Sequence, residues 1–200
     1  MTDGLSPLAL ALRVAVAEVE RHASEAGWDA PARLFALAWT EELVAAEPEL
    51  AAKLGISGGT AERLSPAEHL AQVELFTPLE QELHDSPGTL EELLGRITWP
   101  DSVAGALAVV ERVVLPPEAE GQVPDDPAEA ADFAAHHDAR EDVRISVGVL
   151  RTGETHCVLR MRSHDDDDSL VHGAEVVPGL VEALRETLGQ QSDLSVSSDC

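Results

Sequence analysis

Arg144 stands between Val143 and Ile145, and Arg160 and Arg162 flank Met161, in two alternating runs. A guanidinium offers its N–H donors in a planar fork that fits a carboxylate or phosphate, and His164, just past the second run, would add a proton donor. Val143, Ile145, Val147 and Val149, then Cys157, Leu159 and Met161, with a turn at Thr152-Gly153, read as an antiparallel hairpin with one apolar face. The opposite face then carries Arg144, Arg160, Arg162 and His156, with Arg144 across from Arg162. Like charges directly across a strand pair destabilise it, so an anion must sit nearby. Glu111, inside the apolar run 109–115, is the internal candidate, with its neighbour Arg112 joining from the other face. Two uses follow. One is a cross-strand salt-bridge network, the expected outcome in a chain rich in carboxylates. The other is an anion site in which Arg160 and Arg162 hold the ligand. Arg144, Arg160, Arg162, Glu111 and His164 are therefore the candidate binding residues; no catalytic or metal-binding residue is assigned.

Other motifs reduce to structure. Gly55-Ile56-Ser57-Gly58-Gly59 matches the nucleophile elbow G-x-S-x-G, but a helical pattern precedes it where the elbow needs a strand, so it reads as a helix C-cap and a glycine pair. The run 165–168 lacks the alternate oxygens, glycine and closing glutamate of a calcium loop and reads as a solvated acidic loop. His136 and His137 are adjacent on a helix, about 100° apart around its axis, and cannot both reach one ion unaided. Cys157 shares a face with Leu159 and Met161 and is expected to be a buried, inert thiol. No phosphate-cradling loop is present, and no cofactor is expected.

The elements that position these residues follow from caps and periodicity. Ser6-Pro7 opens a helix striped by Leu8, Leu12, Val16 and Val19 and closed by Gly27. Residues 33–38 read as a strand, and Thr40 starts a helix running to Gly55. Ser65-Pro66-Ala67-Glu68 resembles a capping box, whereas Val73, Leu75, Thr77 and Leu79 alternate as a strand near 71–81. Leu90, Leu93, Leu94 and Ile97 form a short helix stopped at Trp99-Pro100, and 105–115 is a β-branched strand. Asp126-Pro127 starts a helix through Phe133 to His136. After the hairpin, Val177-Pro178 opens a final helix carrying Val181, Leu184 and Leu188 and ending at Gly189. The reading is a single α+β domain, 1–189, with a mainly antiparallel sheet of about five strands covered by the N- and C-terminal helices, and a flexible tail at 190–200.

Thirteen Lys plus Arg against thirty-eight Asp plus Glu give a formal charge of −25 over 200 residues. That excess repels nucleic-acid backbones and anionic membranes, and no apolar run approaches the ~20 residues of a membrane span. Two cysteines, one in a strand and one at the last position, fit a reduced cytoplasm. Twelve arginines to one lysine, with no Tyr or Asn, point to codons rich in G and C and so to a bacterial source.

The chain resembles a family of uncharacterised conserved proteins from actinobacteria across most of its length. The resemblance is carried by Gly27-Trp28, Arg33-Leu34-Phe35-Ala36-Leu37, Trp99-Pro100, Val103-Ala104-Gly105, Val109-Val110-Glu111-Arg112 and Leu115-Pro116-Pro117. Further on it rests on Gly148-Val149-Leu150-Arg151, the stretch from Cys157 through Arg160, Arg162 and His164 to Asp165, and Val177-Pro178-Gly179-Leu180. It implies a cytosolic actinobacterial protein and brings no activity, cofactor or catalytic residue. With no catalytic constellation, the leading expectation is a non-enzymatic acidic protein that binds a basic protein partner. The alternative is an anion- or small-molecule-binding protein, with enzyme activity left open, using the arginine face.

Overall fold

The structure, a computed structural model, describes residues 5–53, 75–83, 90–174 and 176–189. Helix α1 (Pro7–Glu25) begins as its sequence dictates: the Ser6 hydroxyl accepts from the Ala9 amide at 3.1 Å, and Pro7 fills the first helical position. Strand β1 (Arg33–Trp39) follows. The single helix expected from Thr40 is two short ones, α2 (Thr40–Ala46) and α3 (Pro48–Lys53), and Trp39, not Thr40, is the cap residue. Pro48 causes the break, because it has no N–H and excludes its predecessor from the helical region; Glu47 sits at φ −131°, ψ 64°. Strand β2 (Phe76–Gln81) falls within the expected 71–81 window. The motif at 55–59, the capping box at 65–68 and the tail at 190–200 lie outside the described residues.

Helix α4 (Leu90–Leu94) and strand β3 (Val103–Val114) match the sequence reading closely, with a short α5 (Pro117–Glu120) added after Pro116. Helix α6 (Pro127–His136) is capped by Asp126, whose carboxylate accepts from the Ala128 and Glu129 amides at 2.9 and 3.1 Å. Strands β4 (Glu141–Leu150) and β5 (Thr155–Met161) form the hairpin, and helix α7 (Pro178–Gly189) closes the described chain. Strand β6 (Val171–Gly173), too short for a periodic signal, makes six strands among the described residues where about five were expected. The sheet order is β2-β1-β3-β4-β5-β6, and every neighbour pair is antiparallel.

Two expectations about the hairpin need correction. Val147 faces Cys157 and Val143 faces Met161, so Arg144 lies opposite Arg160 and not Arg162. The loop sets this register: it has three residues, Arg151, Thr152 and Gly153, closed by a Leu150 N–H to Glu154 C=O bond of 2.9 Å, with Gly153 at φ +101°. The hairpin also buries both faces. Val143, Ile145, Val147, Val149 and Cys157 pack on one core with Leu180, Val181, Leu184 and Leu188 of α7 and Leu94 of α4. On the other side Phe35, Leu37, Leu107, Val109 and Val158 pack against Leu12, Val16 and Val19 of α1. Gly148 permits this close approach, since a Cβ there would stand 2.7 Å from Val16 Cγ2 and 2.9 Å from Leu12 Cδ1. One turn beyond Val16, α1 places Glu20 over the same face of the sheet.

Candidate functional site

Glu111, Arg144 and Arg160 stand side by side across β3, β4 and β5, on the face that α1 covers. The two guanidiniums would repel each other in that row, and each is met by an anion. Arg144 donates through Nε and Nη2 to Glu111 Oε1 at 3.2 and 2.9 Å, and Nη2 also donates to the Gly27 carbonyl. Arg160 forks onto Glu20 of α1, Nε to Oε1 at 2.6 Å and Nη2 to Oε2 at 3.0 Å. It also reaches Asp167 at 2.6 Å and Asp165 at 3.2 Å, so four of its five N–H donors are used. Arg144, Arg160 and Glu20 are 1%, 2% and 1% exposed, which makes these true interior ion pairs that must be matched to be tolerated.

The turn after α1 completes the arrangement. Gly27 (φ 89°) and Asp29 (φ 64°) take left-handed backbone, which turns Trp28 back over the sheet. Its ring lies 4.4 Å from the Arg144 guanidinium carbon and 5.4 Å from that of Arg162, both within cation–π range. Its indole N–H donates to Asp165 Oδ2 at 2.8 Å. Asp29 takes both Arg162 Nη atoms at 2.8 Å, and its own amide donates to Glu111 Oε2 at 2.7 Å. These contacts hold the Asp29 carboxyl below the usual carboxylate range, chiefly through the Arg162 fork, and hold that of Asp165 below it chiefly through the Trp28 N–H. Arg160 is driven the other way, its proton held more tightly, chiefly by Glu20.

The five residues singled out by sequence are thus not one site. Glu111, Arg144, Arg160 and Arg162 belong to one network, whereas exposed His164 bonds Ser163 Oγ at 2.8 Å and does not touch a guanidinium. Ser163 in turn donates to Glu141. Arg112 is exposed and opposite Val143, on the far side of β3 from the network. Two of the acidic residues read as a solvated loop, Asp165 and Asp167, are spent on Arg160. Among the described residues no three His, Cys, Asp or Glu side chains form a metal-binding group. Cys157 is fully buried and burial pushes its thiol up, as its apolar face implies.

Sequence reasoning missed Glu20, Trp28 and Asp29. Glu20 did leave a signal: it follows Leu12 and Val16 at four-residue steps, so it lies on the apolar stripe of α1 and demands a buried cation. Nothing in the sequence showed that the turn after Gly27 folds back onto the strands.

Two buried side-chain polar atoms among the described residues are left over, Arg144 Nη1 and Ser146 Oγ. Arg144 Nη1 is buried without a hydrogen-bond partner, a desolvation cost of about 1–3 kcal/mol. Arg144 also lines a half-open cleft of about 320 Å³ at the C-terminal end of α1, with His22, Ala23, Ala26, Ala30, Pro31, Arg33, Glu80, Val109, Val110 and Glu111. Among these residues Arg33 forks onto Glu80, Nε to Oε1 and Nη2 to Oε2, both at 2.7 Å. No helix among the described residues is long and apolar enough to cross a membrane.

Neither the curated proteins nor the solved structures contain a match to this chain. The family model described as PPA1309-like protein matches residues 12–189, a span that runs from the buried stripe of α1 to the last residue of α7 and takes in every member of the arginine network. The chain belongs to the PPA1309-like protein family.

Proposed function

We propose that the protein carries out no chemistry of its own and acts by binding a basic segment of another protein through the acidic excursion between β3 and β4. The observation that carries this reading is α6, a helix with no buried residue. Ala130, Phe133, Ala134 and His137 form its half-buried stripe, while Glu129 and Asp132 face solvent. Glu118, Asp125, Asp126 and Asp138 are likewise exposed nearby, and Arg140 is the sole Lys or Arg in 115–140. Beside them Val113 and Val114 at the end of β3 are 40% and 46% exposed. A surface of clustered carboxylates with two exposed valines suits a basic partner with a small apolar contact, the charge setting the encounter rate and the valines adding burial.

The alternative, an anion site on Arg144, Arg160, Arg162 and His164, is weakened by where those guanidiniums already point. Arg160 and Arg162 are forked onto Glu20 and Asp29, so an anionic ligand there would first have to displace a carboxylate. A chain of charge −25 also disfavours nucleic acid as the partner, and a buried reduced thiol suits the cytoplasm.

Capture of partners from lysate of the source organism tests this. A protein with a basic segment should be enriched at low salt and depleted at moderate salt, because exposed charge pairs are screened over about 10 Å at 0.1 M. Repeated capture that enriches nothing at either salt rejects the proposal.

A further inference from the structure

We infer that His156 of β5 and His172 of β6 form a chelating pair for a divalent transition-metal ion of the Zn²⁺ or Ni²⁺ type. The site is separate from the acidic excursion and does not depend on the partner reading. Strand register brings the two rings together. Cys157 faces Gly173 and Val158 faces His172 across the β5–β6 pair, so His156 is the diagonal neighbour of His172. Val158 packs toward α1, and alternate residues of a strand share a side, so both histidines belong to that side of the sheet.

The contact between the rings is defined in its atoms and its length. His172 Nδ1 stands 3.4 Å from His156 Nε2. That is longer than the ~2.7–3.2 Å over which an N–H donor bonds well to oxygen. Two imidazole nitrogens held at about 2.0–2.1 Å from one tetrahedral ion are themselves about 3.3–3.4 Å apart, so the pair is already spaced for chelation. The rings are 5.6 Å apart between centroids and only 24° from parallel, which aims the two nitrogens at each other. A small turn of the exposed His172 ring then directs both lone pairs to one point, and its exposure gives an ion access to His156, which is 8% exposed.

The ligand chemistry selects the ion. Burial, then the Arg13 charge and His172, keeps His156 unprotonated at pH 7, so binding there costs no proton. Neutral imidazoles favour Zn²⁺, Ni²⁺ or Cu²⁺, whereas Mg²⁺ and Ca²⁺ need oxygen ligands. Among the described residues no third His, Cys, Asp or Glu completes a metal group, so water fills the ion's other positions. Arg13, exposed on α1, acts against a further positive charge and holds the affinity below that of a full protein cage.

The test is a calorimetric titration of the chelator-stripped full chain with Zn²⁺ and with Ni²⁺ in about 0.15 M NaCl, where exposed charges are screened over about 8 Å. At least one of these ions should bind in a saturable way that Mg²⁺ does not reproduce. His172→Ala, at an exposed edge position, and His156→Gln should each weaken the apparent Kd by at least about tenfold, since even outer-shell partners of a metal site are worth that much. His136→Ala/His137→Ala, which removes the adjacent histidines of the excursion, should leave it unchanged. His172→Ala keeps the test decisive if His156→Gln fails to fold. No saturable binding of either ion overturns the inference, as do equal binding of Mg²⁺, binding unchanged in His172→Ala, or loss of binding in His136→Ala/His137→Ala. Because neither His156 nor His172 lies in 115–140, partner capture and metal binding fail or succeed separately.

Discussion

Glu20 and Arg160 illustrate how a buried charge pair is built rather than merely tolerated. Each carboxylate oxygen meets a different guanidinium nitrogen, and the remaining Arg160 donors go to Asp165 and Asp167, so almost no desolvated N–H is wasted. Removing one partner strands the other. We expect Glu20→Gln to lower stability by about 3 kcal/mol, the low end for a broken buried pair, because Asp165 and Asp167 still face Arg160. The double variant Glu20→Leu, Arg160→Met should recover most of that loss, since an apolar pair of similar volume needs no desolvation; urea denaturation of the three proteins checks both statements. His156 makes a prediction of a different sign. Its ring stacks on His172 at 5.6 Å, and burial, then Arg13 and His172, push its pKa down to about 4. The unfolded chain protonates this residue near pH 6.5, so the stability it contributes is complete above that value and is lost as pH falls toward 4. Denaturation midpoints for His156→Leu should therefore vary less than those of the parent between pH 6.5 and 4. The carboxyls of Asp29 and Asp165, held low, add their own loss only below about pH 4.

At the level of elements, the decisive contact is α1 against the β4–β5 hairpin. Gly148 lets Leu12 and Val16 sit directly on the strand, and that seating carries Glu20 to Arg160. Gly148→Ala should cost about 1–3 kcal/mol, as overpacking does in a tight core, and should loosen the Glu20–Arg160 pair along with the helix. Amide exchange of α1 measured beside the stability change checks this, with faster exchange confined to α1 and its hairpin contacts as the expected pattern. Much of this level was legible in the sequence. Caps at Ser6 and Asp126, prolines at 7, 127 and 178, and the alternation from Val143 to Met161 gave helices and strands close to those observed, because each is a local rule. The failures were failures of local reading. A three-residue loop at 151–153 moved Arg160 opposite Arg144, and a single proline at 48 split one helix into two. The candidate site was legible only in part. Glu111 and the arginines could be grouped by strand parity, whereas Trp28 and Asp29 reach them through a left-handed turn that no periodicity describes.

For the molecule as a whole, charge is arranged in two zones. Inside, Arg144 is matched to Glu111 and Arg160 to Glu20 of α1; outside, carboxylates dominate, and the formal charge is −25. Self-repulsion of that surface opposes folding, while interior pairs are little affected by ions. Raising NaCl from about 0.02 to 0.5 M should therefore raise Tm, and a fall would mean that the ion pairs dominate the salt response. The same division is why the proposed partner surface is the acidic excursion and not the network. Its direct test is a side-by-side capture experiment with two variants of the full chain, Glu118→Gln/Glu129→Gln/Asp132→Asn/Asp138→Asn on the excursion and Arg162→Gln in the network. The account predicts that the first loses the partner retained by the parent chain and that the second keeps it. Retention by the first with loss by the second would contradict it and return the arginine face to the centre of the protein's function.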